Sequence, residues 1–225
     1  MQGALIVLEG PEGVGKTTQA RRLVEVLTQQ SVKCEYHREP GGTLLGESIR
    51  AVLLERSQNV TPAAEALLFM ASRAQLMSEK VVPALHDGRV VVLDRFFLST
   101  YAYQIHGRGL PEREVREANL LAVGAVVPSV TIVLGLPSSE GLRRAGERSA
   151  HDYMEQLGDD FHSQVAKAFD EFVKPGWQSS HAECGPIESV DGTGSRDDVF
   201  ERVAGAIARR IPGLASLLQQ TEVAR

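Results

Sequence analysis

Gly10-Pro11-Glu12-Gly13-Val14-Gly15-Lys16-Thr17 fits G-x-x-x-x-G-K-[ST], a loop that wraps the phosphates of a nucleoside triphosphate. Before it stands Ala4 to Glu9, ALIVLE, a short continuous apolar run of the kind a strand buried on both faces shows. After it, Gln19 to Gln30 sets Ala20, Leu23, Val24 and Leu27 at helical spacing. Strand, glycine loop, helix is the setting the pattern requires. The glycines let backbone N–H groups approach a phosphate with no Cβ in the way. Those groups and the positive end of the helix favour an anion. Lys16 adds a full charge near the β- and γ-phosphates, and Thr17 offers a hydroxyl to Mg²⁺. The loop and the following Thr18 are the candidate triphosphate contacts.

Working outward, strands and helices alternate. Val32 to His37 reads as a second strand, leading into Arg38-Glu39-Pro40-Gly41-Gly42-Thr43, where Pro40 and the glycines mark a loop. Thr43 is a plausible cap for a helix from Leu44 to Arg56, with Leu45, Ile49, Val52 and Leu53 inward. Thr61 and Pro62 open a helix that runs toward His86, with a kink expected at Pro83. Arg89 to Asp94, RVVVLD, is the third strand. Ser99 to His106 is predicted helical, then Pro111 to Val126. Val130 to Leu136 is the fourth strand, followed by a helix over Ser138 to Arg148. Phe161 to Lys174 is helical, Ile187 to Val190 is the fifth strand, and Ser195 caps a helix to Ile211. The tail, 213–225, has some helical pattern but no evident place.

This order predicts an α/β fold of three layers: a parallel five-stranded sheet with helices on both faces. One domain over 1–212 is expected, and residues 149–158, with little apolar periodicity, are expected to be mobile. The ligand site then lies beyond the C-terminal strand ends, where the three strongest motifs converge.

Bulk properties narrow the partners. The 225 residues are 43% hydrophobic and 24% charged, ordinary for a soluble protein. A net charge of −5 argues against a broad nucleic-acid face. No apolar run reaches the roughly 18 residues of a membrane span, and the N-terminus lacks a signal-peptide pattern. Cys34 and Cys184 show no metal spacing; a phosphate-transfer reading implies the cytoplasm, where thiols stay reduced, so both read as structural thiols. Arginine outnumbers lysine, 19 to 5, so an isolated Arg means little here.

Certain residues at strand ends carry more. Asp94 ends the third strand, where P-loop proteins place an acid that helps hold Mg²⁺. Arg95 follows at once and suits bidentate contact with a phosphate. Arg38, Arg50 and Arg73 are candidates for the same basin. Phe69 and Arg73 lie four apart on one helix face; an aromatic and a donor fork there could read a nucleobase, though a core Phe beside an exposed Arg fits the spacing as well.

The segments LIVLEGPEGVGKTTQ, REPGGT at 38–43, EALLFMASRAQ at 65–75 and DRFFLSTYAYQIHGRGLP at 94–111 resemble thymidylate kinases of the bacterial form. VPSVTIVLGLPSSEGLRRAGER at 127–148 and VDGTGSRDDVF at 190–200 follow the same family in order. The resemblance covers the chain to about residue 211. It implies the P-loop nucleotide kinase fold with a mobile lid at about 142–158, and transfer of the γ-phosphoryl group of ATP to dTMP, giving dTDP and ADP, with Mg²⁺, by a homodimer. It also implies roles. Phe69 would stack on thymine, Arg73 donate to a thymine carbonyl, and Thr100 and Gln104 lie near the pyrimidine edge. Tyr103 would leave no room for a ribose 2′-hydroxyl. Arg95 and Arg38 would hold the dTMP phosphate, Arg50 would border the base pocket, and Glu12 would meet the acceptor sugar hydroxyl. Asp191 and Gly192 fall where adenine lies. The helices at 61–86 and 111–126 are plausible dimer surfaces.

In one place the sequence departs from its relatives. The loop carries no arginine, so the resemblance points to lid residues Arg143, Arg144 and Arg148, with Arg148 the expected catalytic group. Tyr153 stands where the family's usual lid arginine would be, and Gly146 at a further basic position. A kinase of another nucleotide or nucleoside on the same fold is the nearest alternative; a P-loop switch or a non-catalytic phosphate module are the others.

Overall fold

The computed structural model describes residues 3–54, 60–136 and 158–219. Five strands form one sheet: β1 (Ala4–Glu9), β2 (Cys34–Arg38), β3 (Val90–Asp94), β4 (Val130–Gly135) and β5 (Ile187–Asp191). Their order is β2-β3-β1-β4-β5, and every pairing is parallel. β1 and β3 are buried throughout, which is why they read as unbroken apolar runs closed by an acid. β2 is an edge and only partly covered, so it carries Glu35, His37 and Arg38. Leu8 of β1 lies opposite Asp94 of β3, and Glu9 opposite Val133 of β4. The central strand ends are therefore level, and the chain reverses its progress across the sheet at β1, the place for a ligand crevice.

Alternate side chains of the strands build two apolar layers. On one face Ile6, Leu8, Val92 and Ile132 pack with Leu23 and Leu27 of α1 (Lys16–Gln29). Val203 and Ile207 of the helix Arg196–Arg210, and Leu214 and Leu218 of Pro212–Gln219, complete that layer. The start of the tail thus has a definite place. On the other face Leu5, Val7, Val91 and Leu93 meet Leu76, Val81, Phe97, Tyr101, Phe169 and Phe172.

Three of the expected helix caps hold. Thr43 Oγ1 accepts from Gly46 N at 2.9 Å ahead of α2 (Leu44–Leu54). Thr61 caps α3 (Pro62–Leu76) by accepting from Ala64 N. Ser195 and Asp198 form a reciprocal capping box. Three interiors differ from expectation. Leu45, expected inward on α2, is 49% exposed, while Ile49 and Leu53 are buried. The expected kink at Pro83 is instead a π turn, Met77–Val81, just ahead of α4 (Val82–His86); the wider turn absorbs a residue with no N–H to give. The helix expected from Ser99 begins earlier, as α5 (Phe97–Thr100), and continues as π-helix over Tyr101–Gly107. The helix Glu112–Val123, α6, stops at Gly124, whose φ is 69°. The helix expected over Ser138 to Arg148 lies outside the described residues. No helix among the described residues is long and apolar enough to cross a membrane, and both cysteines are free thiols, Cys184 fully buried.

Candidate active site

The loop after β1 is shaped by close packing. A Cβ on Gly10 would sit 2.3 Å from the Leu134 carbonyl oxygen, and Gly15 turns the chain into α1 with a φ of 96°. α1 begins without a side-chain cap and with no acid in its first turn, so its N-terminus is left for an anion. Lys16 is buried and folds back on the loop, donating from Nζ to the carbonyls of Gly10 at 2.9 Å and Pro11 at 2.7 Å. Val14 turns its side chain into the core, so only its backbone is open to a phosphate.

β3 ends beside this loop. Thr17 Oγ1 donates to Asp94 Oδ2 at 2.5 Å, and the Tyr36 hydroxyl reaches the same oxygen at 3.3 Å. Arg95 follows with a φ of 75°, outside the usual range for a side chain of its size. Its guanidinium donates to Glu12 Oε1 at 2.6 Å and Ser99 Oγ at 3.0 Å, and lies 5.1 Å from the centre of the Tyr103 ring. The Tyr103 hydroxyl also donates to Glu12 Oε1, at 2.9 Å. Burial alone would raise the Glu12 carboxyl, but Arg95, Lys16 and Tyr103 outweigh it and bring it down to about 2. Burial, reinforced by Arg95, lowers the Lys16 ammonium to about 8, against the opposing pull of Glu12, Asp94 and Glu9.

These groups open onto one cavity of about 240 Å³. Glu12, Gly13, Gly15, Lys16 and Thr17 line one side, and Asp94 and Arg95 the floor. Arg38, Arg50, Phe69, Arg73, Thr100, Tyr103 and Gln104 line the rest. Arg38 is half exposed and pairs with Glu47 at 3.4 Å; Arg50 donates to the Pro40 carbonyl at 3.0 Å. Two expected positions are elsewhere. Asp191 ends β5 and Gly192 follows it, with Asp191 accepting from Thr193 and Gly192 N donating to the Gly135 carbonyl at 2.7 Å. They flank the end of β4, whose Leu134 carbonyl faces Gly10 from beside the loop. Arg143, Arg144, Arg148 and Tyr153, with the expected lid, lie outside the described residues.

A family model described as thymidylate kinase matches residues 8–191. The chain belongs to the thymidylate kinase family. A thymidylate kinase of Synechococcus sp. (strain JA-2-3B'a(2-13)) is 42% identical over 207 residues, covering 92% of this chain and 95% of its own. That of Deinococcus radiodurans is 38% identical over 209 residues, covering 93% and 98%. That of Thermoanaerobacter sp. (strain X514) is 41% identical over 174 residues, covering 77% and 85%.

The site also stands on Glu9 and Asn119, which the sequence reading did not name as site residues. Glu9 is fully buried and accepts from Phe96 N at 2.7 Å, Ser99 N at 3.0 Å and Ser99 Oγ at 2.6 Å, tying the start of α5 to the end of β1. Arg73 is 2% exposed rather than solvated. Its Nε donates to Glu39 at 2.7 Å, Nη1 to Thr100 at 2.8 Å and to Asn119, and Nη2 to the Phe96 carbonyl at 2.9 Å. Nη2 also lies 2.5 Å from Glu39 Oε2. A base carbonyl reaching Arg73 would therefore share an N–H already in use. Asn119 had a visible signal: it interrupts the inward row Val115, Asn119, Val123 of α6, and a polar residue on an apolar face needs a partner.

Proposed function

We infer that the protein is a dTMP kinase, moving the γ-phosphoryl group of ATP onto dTMP and so supplying dTDP toward dTTP. The observation that carries this reading is the single cavity in which the P-loop lysine and Asp94 face Arg95, Phe69 and Tyr103. One half suits a triphosphate; the other suits a monophosphate bearing a flat base.

The acceptor is a phosphate already ionised at neutral pH, so the reaction needs no general base. The obstacle is repulsion between two polyanions, and catalysis is positioning plus neutralisation. Lys16 supports the transferring group, and Arg95 and Arg38 hold the acceptor phosphate. Glu12, ionised and bonded to Arg95 and Tyr103, keeps the arginine in place before the phosphate arrives and lies ready for the sugar hydroxyl. Phe69 stacks on the base, Arg50 borders it, and Tyr103 fills the space a 2′-hydroxyl would need. Asp191 and Gly192 border the adenine. Arg148 is the proposed lid contribution to the transition state, a role worth about 10³–10⁵ in rate where an arginine fills it.

Thr17 and Asp94 fit Mg²⁺. They bring two hard oxygens together at the cavity, and this ion takes few protein ligands and completes its shell with water and phosphate oxygens. When bound it would withdraw charge from the phosphates.

A homodimer is the proposed assembly. Leu44 of α2, Leu67 of α3 and Leu121 of α6 are 93%, 63% and 88% exposed. α3 packs against both α2 and α6, so these leucines belong to adjoining helices, as an interface needs. A cytosolic setting is proposed with it, in keeping with the two free thiols.

The test is ADP release with dTMP, dUMP, dCMP, dGMP and thymidine in turn. Strong dependence on dTMP is expected. ADP release no faster with any monophosphate than with ATP alone would overturn the reading.

A further inference from the structure

Gln104 lines the cavity and is 2% exposed. Its Nε2 donates to Glu65 Oε1 at 3.1 Å. Glu65 sits in the first turn of α3, 3% exposed and behind the cavity wall. Arg108 grips it with Nε on Oε1 at 3.1 Å and Nη2 on Oε2 at 2.7 Å. A carboxylate gripped this way only accepts. If the Gln104 amide turned over, its oxygen would face a carboxylate oxygen. The amide therefore has one orientation, with Oε1 left for the cavity. Four residues earlier, Thr100 Oγ1 accepts from Arg73 Nη1 at 2.8 Å. A guanidinium only donates, so the Thr100 proton is left to give.

The wall thus presents an acceptor and a donor, each oriented by a charged residue behind it. A pyrimidine with an N3–H beside a carbonyl matches both. Cytosine has a bare N3 that mismatches the fixed Gln104 oxygen, whereas Thr100, with a second lone pair, can meet a carbonyl or an amino group. We propose that Glu65, without touching the substrate, is a specificity-determining positioning residue that makes the site select imide pyrimidines over cytosine by fixing the amide of Gln104. This rests on the dTMP kinase reading, and adds to it the role of Glu65 and its Arg108 support.

The test compares kcat/KM for dTMP and dCMP in the wild type, Glu65→Gln and Arg108→Lys, with ATP KM as a fold check. Glu65→Gln replaces an acceptor-only group with one that can donate, so Gln104 can turn over. The dTMP-to-dCMP ratio should fall about tenfold or more, the size of a misdirected buried hydrogen bond, with ATP KM unchanged. Arg108→Lys loosens the support but keeps the carboxylate, so the ratio should stay within about threefold of wild type. A ratio unchanged in Glu65→Gln, or equal falls in both variants, would overturn the proposal. If Glu65→Gln does not fold, the wild type decides. The ¹⁵N side-chain amide protons of Gln104 should stay protected by Glu65 with and without dTMP, and a shift of that amide to donating into the ligand would overturn it. A wild type that ignores dTMP altogether would defeat the dTMP kinase reading instead.

Discussion

Binding of ATP at alkaline pH should draw a proton onto Lys16. In the free protein this ammonium is lowered from 10.5 to about 8, by burial first and by Arg95 second. A triphosphate in the loop sets several negative charges against it and should return it at least to its ordinary value. At pH 7 a group of pKa 8 is about 0.9 protonated and gains only ~0.1 proton on binding; at pH 8.5 it is about 0.25 protonated and gains ~0.7. Affinity should therefore weaken as pH rises through 8, by about tenfold between pH 7 and 9. Titration calorimetry in two buffers of different ionisation enthalpy measures the uptake directly. Lys16→Arg is the control, because a guanidinium stays charged throughout and its uptake should vanish. Uptake below about 0.2 at pH 8.5 in the wild type, or equal uptake in Lys16→Arg, would refute the argument. The same shift has a stability sign. The unfolded chain holds this proton up to its higher pKa, so the free protein gains stability from Lys16 as pH rises from about 8 toward 10.5, and lacks that gain below 8.

Arg73→Ala should be chiefly a folding defect. It leaves Glu39 buried without its counter-charge and strips partners from Thr100 and Asn119, a loss of about 3–5 kcal/mol that urea denaturation would show; stability within 1 kcal/mol of wild type would contradict it. Leu67→Glu with Leu121→Glu should convert a species of twice the 24.4 kDa chain mass into monomer, read by sedimentation equilibrium; an unchanged mass would place the interface elsewhere.

The strands, the loop and the helix starts were legible because each depends on neighbours in sequence. An unbroken apolar run such as ALIVLE needs only its own residues to report burial on both faces. Thr43, Thr61 and Ser195 bond within the turn they open. The glycine loop announces its anion site through its spacing. Arg38 and Arg95 could be picked out because they sit at strand ends, whereas the roles of Phe69 and Tyr103, both on helices, came from the family resemblance.

Other features depended on groups far apart in the chain, and only the assembled fold could settle them. Arg73 is fully engaged because Glu39, the Phe96–Thr100 turn and Asn119 arrive from three separate segments. Glu9 acts on a turn about ninety residues away. Leu45 shares the face of Ile49 and Leu53 but stands in the first turn of its helix, where it is left 49% exposed. Helical spacing tells which residues share a face, not how far along it the cover reaches. The orientation of the Gln104 amide follows from Glu65, 39 positions earlier. Backbone preferences and apolar periodicity act over a few residues and so are written locally, whereas the partner of a buried polar group is chosen by packing, which brings distant parts of the chain together.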